Sequence, residues 1–515
     1  MSTNSTLRRT FDVLKHEHRS SPSSFGCGVF GLNEVFPLLL NFKKELRKFR
    51  AQSKQNVPLY FASVDLHRCY DNIDQTYLHN LVKRVITNEE YLIQQHNVLH
   101  PFQSMGKVQR KRSTHLCDPV DIQSFPDVAS QELAGNYSQC IFVDGITTSL
   151  VKKDEVLGLL KEHIFSNLVA INGDYGPRFL SQSSGIPQGS VLSTMLCNYY
   201  YGDLESRLLG DMFGDKERSQ RKSVDLLVRI VDDFLLVSTK KDVCVQFLER
   251  MRQGIPELGV RINKAKTMTS FDYVIPSHTE EVTPAILAEK RAEKSSNGGE
   301  FFAWCGMLFN TETCEARVDY SRFAGSLAVN GLTVDRLGDQ GTKLIFRMMS
   351  FVRPQCQPLF FDLRLNTVEN ALLNFYQAML LGAVKTVGYV RTGMNGGAKH
   401  NPQFIVKCIE DLISYAQALI SSRLKSSPST DKYLCVGDAT CHHLTLSAAV
   451  WLGRHAFRAV LRTVDPCHGF GDVLGCLSKR REANEKVDSV SCDFALLCKV
   501  ANRGLHEFDL GRFDY

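Results

Sequence analysis

The sequence predicts an α+β protein, with an antiparallel sheet in the first two thirds of the chain and an all-α carboxy-terminal part. Three observations carry that prediction. Leu59–Val64 is a short aromatic and β-branched run halted by Asp65. Asp225–Ser238 reads as two β-forming arms joined at Asp232-Asp233. After Asp319, apolar residues recur at intervals of three, four and seven. At 515 residues the chain has room for two to four domains of roughly 150 residues each. Its 43% hydrophobic and 23% charged residues exclude a disordered protein.

Along the chain, Asn33–Arg50 carries Val35, Leu39, Phe42, Leu46 and Phe49 at helical spacing and ends in the polar stretch Gln52–Asn56. Its Lys43, Lys44, Arg47, Lys48 and Arg50 suit phosphate contact or simply a solvated helix face. The strand ending at Asp65 follows. From Gln75 to Phe179 the pattern is one of helical patches and polar loops, including the basic cluster Lys107–Arg112. That cluster reads either as a phosphate-contacting or nuclear-import segment or, more blandly, as a solvated loop. Residues 180–310 are expected to form a loop, a helix, a strand pair and a further strand, interrupted at Ala292–Gly299. Helices are expected over Asn366–Val384, Phe404–Leu424 and Leu444–Val464, with Ser426–Thr430 as a connector.

Sixteen cysteines lie scattered in apolar runs, as expected of reduced, buried thiols in a soluble intracellular protein. No secretory signal is visible and no apolar stretch approaches the roughly 18 residues of a membrane span, so no membrane partner is expected. The net charge of +6 leaves an anionic partner open without demonstrating one. Cys435, Cys441, His442, His443, Cys467 and His468 match none of the strong zinc spacings, and no zinc site is expected there.

The chemistry concentrates in carboxylates. A structural hairpin favours Asn-Gly or Asp-Gly at its turn, because those residues tolerate positive φ; adjacent aspartates bring repulsion without that gain. A positive charge should therefore sit at Asp232-Asp233. Asp65, at the end of another strand, completes an all-oxygen set suited to Mg²⁺. Two such ions about 4 Å apart serve in-line phosphoryl transfer. Between these segments, Gly185-Ile-Pro187-Gln188-Gly189-Ser190 runs into a helix with Ser190 as a candidate cap. Exposed amides and a close-approach glycine there suit a nucleotide or a template strand, although Gly-X-Pro loops before helices are often only structural.

In this order, the three segments resemble the palm of a reverse transcriptase, and their wording is most similar to the telomerase reverse transcriptase family. Ser63-Val64-Asp65 through Tyr70-Asp71 resembles its first catalytic motif, and Val231-Asp232-Asp233-Phe-Leu-Leu-Val its second. Gly185–Thr194, with Tyr201-Gly-Asp-Leu-Glu205 downstream, resembles its template and nucleotide loop. Ile262–Thr267 is similar to its lysine motif, and Trp304-Cys305-Gly306 to its primer grip.

The resemblance implies a right-hand polymerase: partial fingers over 1–57, a palm over 58–318 with a fingers insertion at about 75–180, and a helical thumb over 319–515. It also implies an RNA-directed DNA polymerase that extends chromosome 3′ ends with two Mg²⁺ ions. Asp65 and Asp232 would bridge both metals and Asp233 would support one. Tyr70, expected near the first turn of a helix, would exclude a ribose 2′-hydroxyl, or is an ordinary core tyrosine. Lys266, with Lys264 as a competitor, would serve the triphosphate; Gln188 and Gly189 would lie at the nascent base pair. Trp304, Cys305 and Gly306 would steer the primer end, unless Trp304 is core. Implied partners are telomerase RNA, a single-stranded telomeric DNA primer, deoxynucleoside triphosphates and telomerase accessory proteins, with localisation to the nucleus and telomere. A retroelement-type enzyme and a non-catalytic nucleic-acid-binding derivative are the alternatives. Family members carry an amino-terminal domain and an RNA-binding domain before the palm. This sequence reads as starting after them, with Phe25–Asn33 resembling only the lead-in to the first catalytic motif.

Overall fold

The computed structural model describes residues 2–53, 57–102, 107–117, 124–134, 140–173, 176–213, 223–273, 293–294, 300–325, 332–333, 339–393, 401–425, 444–463, 470–478 and 494–513. The chain forms two compact units: Met1–Val35 with Lys44–Ala292, and Phe36–Lys43 with Glu293–Tyr515.

In the first unit, helix α1 (Arg8–Ser20), strand β1 (Gly28–Val29) and helix α2 (Leu32–Ser53) precede β2 (Tyr60–Asp65). All but Tyr60 of β2 is buried, as its apolar run requires. Helix α3 (Gln75–Val85) starts at Asp74, whose carboxylate accepts from the Tyr77 amide at 2.6 Å. After residues 90–181, helix α5 (Ser193–Phe213) buries most of its length before the hairpin of β8 (Asp225–Ile230) and β9 (Asp233–Ser238). Helix α6 (Lys241–Gln253) and β10 (Met268–Thr269) close the unit. The central sheet runs β1-β8-β9-β2-β10. It is antiparallel, as expected from sequence, with one parallel pairing at its edge between β1 and β8.

A correction concerns residues 90–152, where the sequence predicts helical patches and polar loops. Long strands β3 (Glu90–Phe102), β4 (Lys107–Cys117) and β5 (Ile141–Lys152) form an antiparallel sheet in the order β4-β3-β5. The reason is that both faces of β3 are covered in turn: Tyr91 and Ile93 pack into the main core, while His96 and Val98, on the opposite face of the same evenly paired strand, are also buried, Val98 with Val128 and Leu133. The buried positions thus change parity along the strand, and the alternation of two is lost to inspection. The basic cluster thus lies on β4 rather than in a loop. Helix α4 (Lys153–Phe165) and the hairpin of β6 (Leu168–Gly173) and β7 (Gly176–Ser181) complete this region.

The second unit holds a four-stranded antiparallel sheet of β11 (Glu293–Lys294), β12 (Glu300–Trp304), β13 (Met307–Asn310) and β14 (Ala316–Val318). Helices α7 (Gln340–Val352), α8 (Val368–Gly393), α9 (Pro402–Lys425), α10 (Leu446–Thr463) and α11 (Phe494–Phe508) follow. Helix α8 is buried almost all round and packs against α7, α10 and α11, which makes it the core helix of the bundle. Cys69, Cys117, Cys197, Cys244, Cys314, Cys356 and Cys408 are buried. No helix among the described residues is long and apolar enough to cross a membrane. Ser426–Thr430 and the cysteine and histidine residues at 435–443 and 467–468 lie outside the described residues.

Candidate active site

Pairing register delivers the acids. Asp65 ends β2 directly opposite Asp233, which begins β9, and Asp232 occupies the adjoining turn. One carboxylate oxygen from each of the three lies within 4.8 Å of the others. Two oxygens on one Mg²⁺ lie at most about 4.2 Å apart, given ligand distances near 2.1 Å, so small side-chain adjustments bring this all-oxygen donor set onto such an ion. Burial, and then the charge of Asp65, push the Asp232 carboxyl above the ordinary carboxylate range, while the Cys69 thiol and Lys266 pull it back.

The expected positive charge is present. Lys266 places its ammonium 3.2 Å from Asp65 Oδ1, and that bond raises its pKa above the usual lysine value. A short 3-10 turn over Lys264–Lys266 aims it, anchored where the Asn263 amide donates to the Asp65 carbonyl at 2.7 Å.

The β8–β9 turn has two residues, closed by the pair Ile230 and Asp233. Val231 adopts φ 58°, and Asp232 is not left-handed. That sign pattern is the one in which glycine is the usual first residue, and a β-branched side chain there costs on the order of 1–3 kcal/mol. The turn is held from outside: Leu66 N donates to Asp232 O at 3.1 Å and Arg229 Nη1 to Val231 O at 3.0 Å.

Tyr70 sits in the tight loop between β2 and α3, where Arg68 is left-handed at φ 49°. The expectation of a first helical turn is corrected, because α3 begins only at Gln75, after the Asp74 cap. Tyr70 is half-buried, and burial raises its phenol to about 12, with a bond to Thr194 opposing that shift. The Gly185 loop is stitched to this segment: Ile186 N donates to Tyr70 O at 2.9 Å and Gly185 N to Ile73 O at 3.0 Å. A Cβ on Gly185 would stand 2.4 Å from the Tyr70 carbonyl, and its φ is 72°, so this position requires glycine. Gln188 and Gly189 are exposed, and Ser190 Oγ accepts from Leu192 N at 3.2 Å just before α5. Asp65, Tyr70, Gln188, Gly189, Asp232, Asp233 and Lys266 therefore belong to one compact unit.

Trp304, Cys305 and Gly306 belong to the other, at the turn between β12 and β13. Trp304 is only 3% exposed, so its ring is core; the turn presents half-buried Cys305 and Gly306. On the basic face of α2, Lys43 donates to the Leu365 carbonyl and Arg50 to the Val57 carbonyl, so two of the five cations brace backbone. Sequence reasoning missed Arg229 and Glu205 as supports of the acid-bearing hairpin. The available signal was an arginine inside an otherwise apolar strand.

Residues 143–296 match the family model "Reverse transcriptase (RNA-dependent DNA polymerase)", and residues 342–468 match "Telomerase reverse transcriptase, C-terminal extension". Telomerase reverse transcriptase of Rattus norvegicus is 28% identical over 439 residues, covering 82% of this chain and 36% of that protein. The Arabidopsis thaliana protein of the same name is 27% identical over 473 residues, covering 90% of this chain and 40% of its own length. The chain thus spans about two fifths of the length of these relatives. The solved telomerase from Candida albicans, in complex with a fragment of telomeric RNA, shares the fold at a TM-score of 0.52 and 14% identity, covering 92% of this chain and 58% of that one. A reverse transcriptase domain followed by the telomerase-type extension is the order seen here, and the chain is a homologue of telomerase reverse transcriptase.

Proposed function

We propose that this chain is the catalytic core of a telomerase, adding deoxynucleotides to chromosome 3′ ends from an RNA template. The observation that carries the reading is the cluster of Asp65, Asp232 and Asp233, whose carboxylate oxygens lie within 4.8 Å of one another at the end of the central sheet. Asp65, Asp232 and Asp233 would hold two Mg²⁺ ions, which when bound would supply activation of the attacking 3′-hydroxyl and charge stabilisation of the departing pyrophosphate. Lys266 shares Asp65 with them; its exposed ammonium is free to turn to the triphosphate, as charge stabiliser or as the acid that protonates pyrophosphate. Tyr70 acts as the gate against a 2′-hydroxyl, and its loop is fixed by the Gly185 segment. Gln188 and the exposed Gly189 backbone meet the nascent base pair.

In motif order, residues 1–57 are partial fingers, 58–318 the palm with its insertion, and 319–515 the thumb; the Cys305-Gly306 turn serves as primer grip, anchored by buried Trp304. Telomerase RNA, a single-stranded telomeric DNA primer, deoxynucleoside triphosphates and accessory proteins are the partners, at telomeres in the nucleus. Single-nucleotide extension of a preformed RNA–DNA hybrid in Mg²⁺ tests the reading. Extension by the unmodified chain and its loss in Asp232→Ala are expected. Undiminished extension in a folded Asp232→Ala protein overturns it.

A further inference from the structure

We propose that Arg229 is the positioning residue of the acid triad: its buried guanidinium grips the Val231 carbonyl and so fixes the left-handed turn from which Asp232 projects. The inference rests on the polymerase reading and deepens it.

Arginine is seldom fully buried without a specific partner, yet Arg229 is 0% exposed in the middle of the sheet. Its fork binds three chain segments at once. Nη1 donates to Val231 O and to Asn198 Oδ1 of α5, both at 3.0 Å, and Nη2 donates to Phe25 O at 2.9 Å. Nε lies 3.6 Å from the Glu205 carboxylate, which in turn accepts from the Cys27 amide at 2.9 Å. Burial pushes the Glu205 carboxyl up and Arg229 draws it down, so the two charges depend on one another. The surroundings are cut to this side chain: Gly28 pairs with Arg229 across β1 and β8, and a Cβ there would lie 2.6 Å from Nη2. Phe25–Gly28, which sequence marks only as a lead-in, is thus the backing of Arg229.

Its effect reaches Asp232 through covalent geometry. The gripped carbonyl belongs to the peptide that joins Val231 to Asp232, and the Asp232 carbonyl is held from the other side by Leu66 N at 3.1 Å. A valine at φ 58° relaxes toward extended backbone once either hold is released. That rotation swings the Asp232 carboxylate away from Asp65 and Asp233. A lysine places its donors on a single nitrogen and cannot reproduce the planar fork.

The test variant is Arg229→Met with Glu205→Gln, which removes both buried charges and leaves neither unpaired. Mn²⁺ binding to the chain is read from the paramagnetic resonance of free ion, and turnover from single-nucleotide extension of a preformed hybrid. Mn²⁺ binding is expected to weaken about tenfold, and turnover to fall about a hundredfold, with nucleotide KM little changed. Adding Val231→Gly, which removes the steric penalty of the turn, is expected to recover most of both losses. Arg229→Lys, an intermediate case, serves if the double variant does not fold by thermal unfolding. Wild-type Mn²⁺ binding in a folded variant, or losses equal with and without Val231→Gly, overturn the inference. Failure of the polymerase reading looks different, because the unmodified chain then neither binds Mn²⁺ through Asp65 and Asp232 nor extends the hybrid.

Discussion

Two hairpin turns of equal length solve the same backbone problem in opposite ways. Between β12 and β13, Cys305 and Gly306 are both left-handed, at φ 47° and 75°, and glycine takes the second place, as a type I′ turn prefers. Between β8 and β9, Val231 is left-handed alone, with no glycine in the turn. The first turn is specified by its own residues. The second is held by Arg229 and Leu66, and Arg229 is held in turn by Phe25 and Asn198, so its conformation depends on much of the first unit. Where a carboxylate must be aimed, this chain uses a turn that its surroundings over-determine.

The largest effects should separate the turns by chemistry. Asp65→Ala and Asp232→Ala are expected to cut extension by at least about a thousandfold, since members of a catalytic set fail together. Thermal unfolding of both should stay near wild type, because loss of either buried carboxylate also relieves the repulsion between Asp65 and Asp232. Residual extension near the wild-type rate removes these residues from the mechanism. Lys266→Ala comes next, with a loss of roughly a hundredfold if the ammonium acts as general acid. Its bond to Asp65 adds little to stability, since the side chain is 64% exposed. The pKa of Lys266 is raised, so what stability the bond gives is present below the ordinary lysine pKa and is lost as pH rises past it. A Lys266→Ala protein with normal turnover but lowered stability at neutral pH would reverse this assignment.

How much of this was legible beforehand depends on whether the signal is local. The run into Asp65, the arms around Asp232-Asp233 and the helices later found at Val368–Gly393 and Pro402–Lys425 all announce themselves within a few residues. Strands β3 to β5 did not, because one cluster covers the face of β3 that carries Tyr91 and Ile93 and another the face that carries Val98, which moves burial from odd to even positions. Arg229 did not either: its partners at Phe25 and Asn198 are 204 and 31 residues away, and an arginine read alone suggests a surface. Tyr70 was placed on a helix because a helix does follow, but the left-handed Arg68 and the Asp74 cap delay its start. Trp304 was legible as a motif residue, yet only packing shows that its ring faces inward.

Tyr70→Ala sharpens the reading of the first unit, since the Tyr70 backbone is tied to the Gly185 loop and its phenol is bonded to Thr194. Ribonucleotide incorporation relative to deoxynucleotide should rise about tenfold or more, within the range a single pocket contact supplies. Competition between the two nucleotide types in one extension assay measures the ratio, and an unchanged ratio returns Tyr70 to the core.

The smallest effects compare the turns directly, by exchanging their characters. Gly306→Val puts a β-branched residue at φ 75°, where its Cβ would lie 1.9 Å from Arg322 Nη1. A loss of about 1–3 kcal/mol is expected from the backbone alone. Val231→Gly should behave differently. Removing the side chain relieves strain of similar size, on the order of 1–3 kcal/mol. Glycine then returns roughly 0.5–1 kcal/mol through the freedom of the unfolded chain, and the half-buried valine gives up part of its packing. These terms oppose one another, and the net change should stay within about 1 kcal/mol of zero. Urea midpoints at fixed slope measure both variants on one scale. A Val231→Gly protein destabilised as much as Gly306→Val would mean that the valine packs better than it strains, and the catalytic turn would then be held by its own side chain rather than by Arg229 and Leu66.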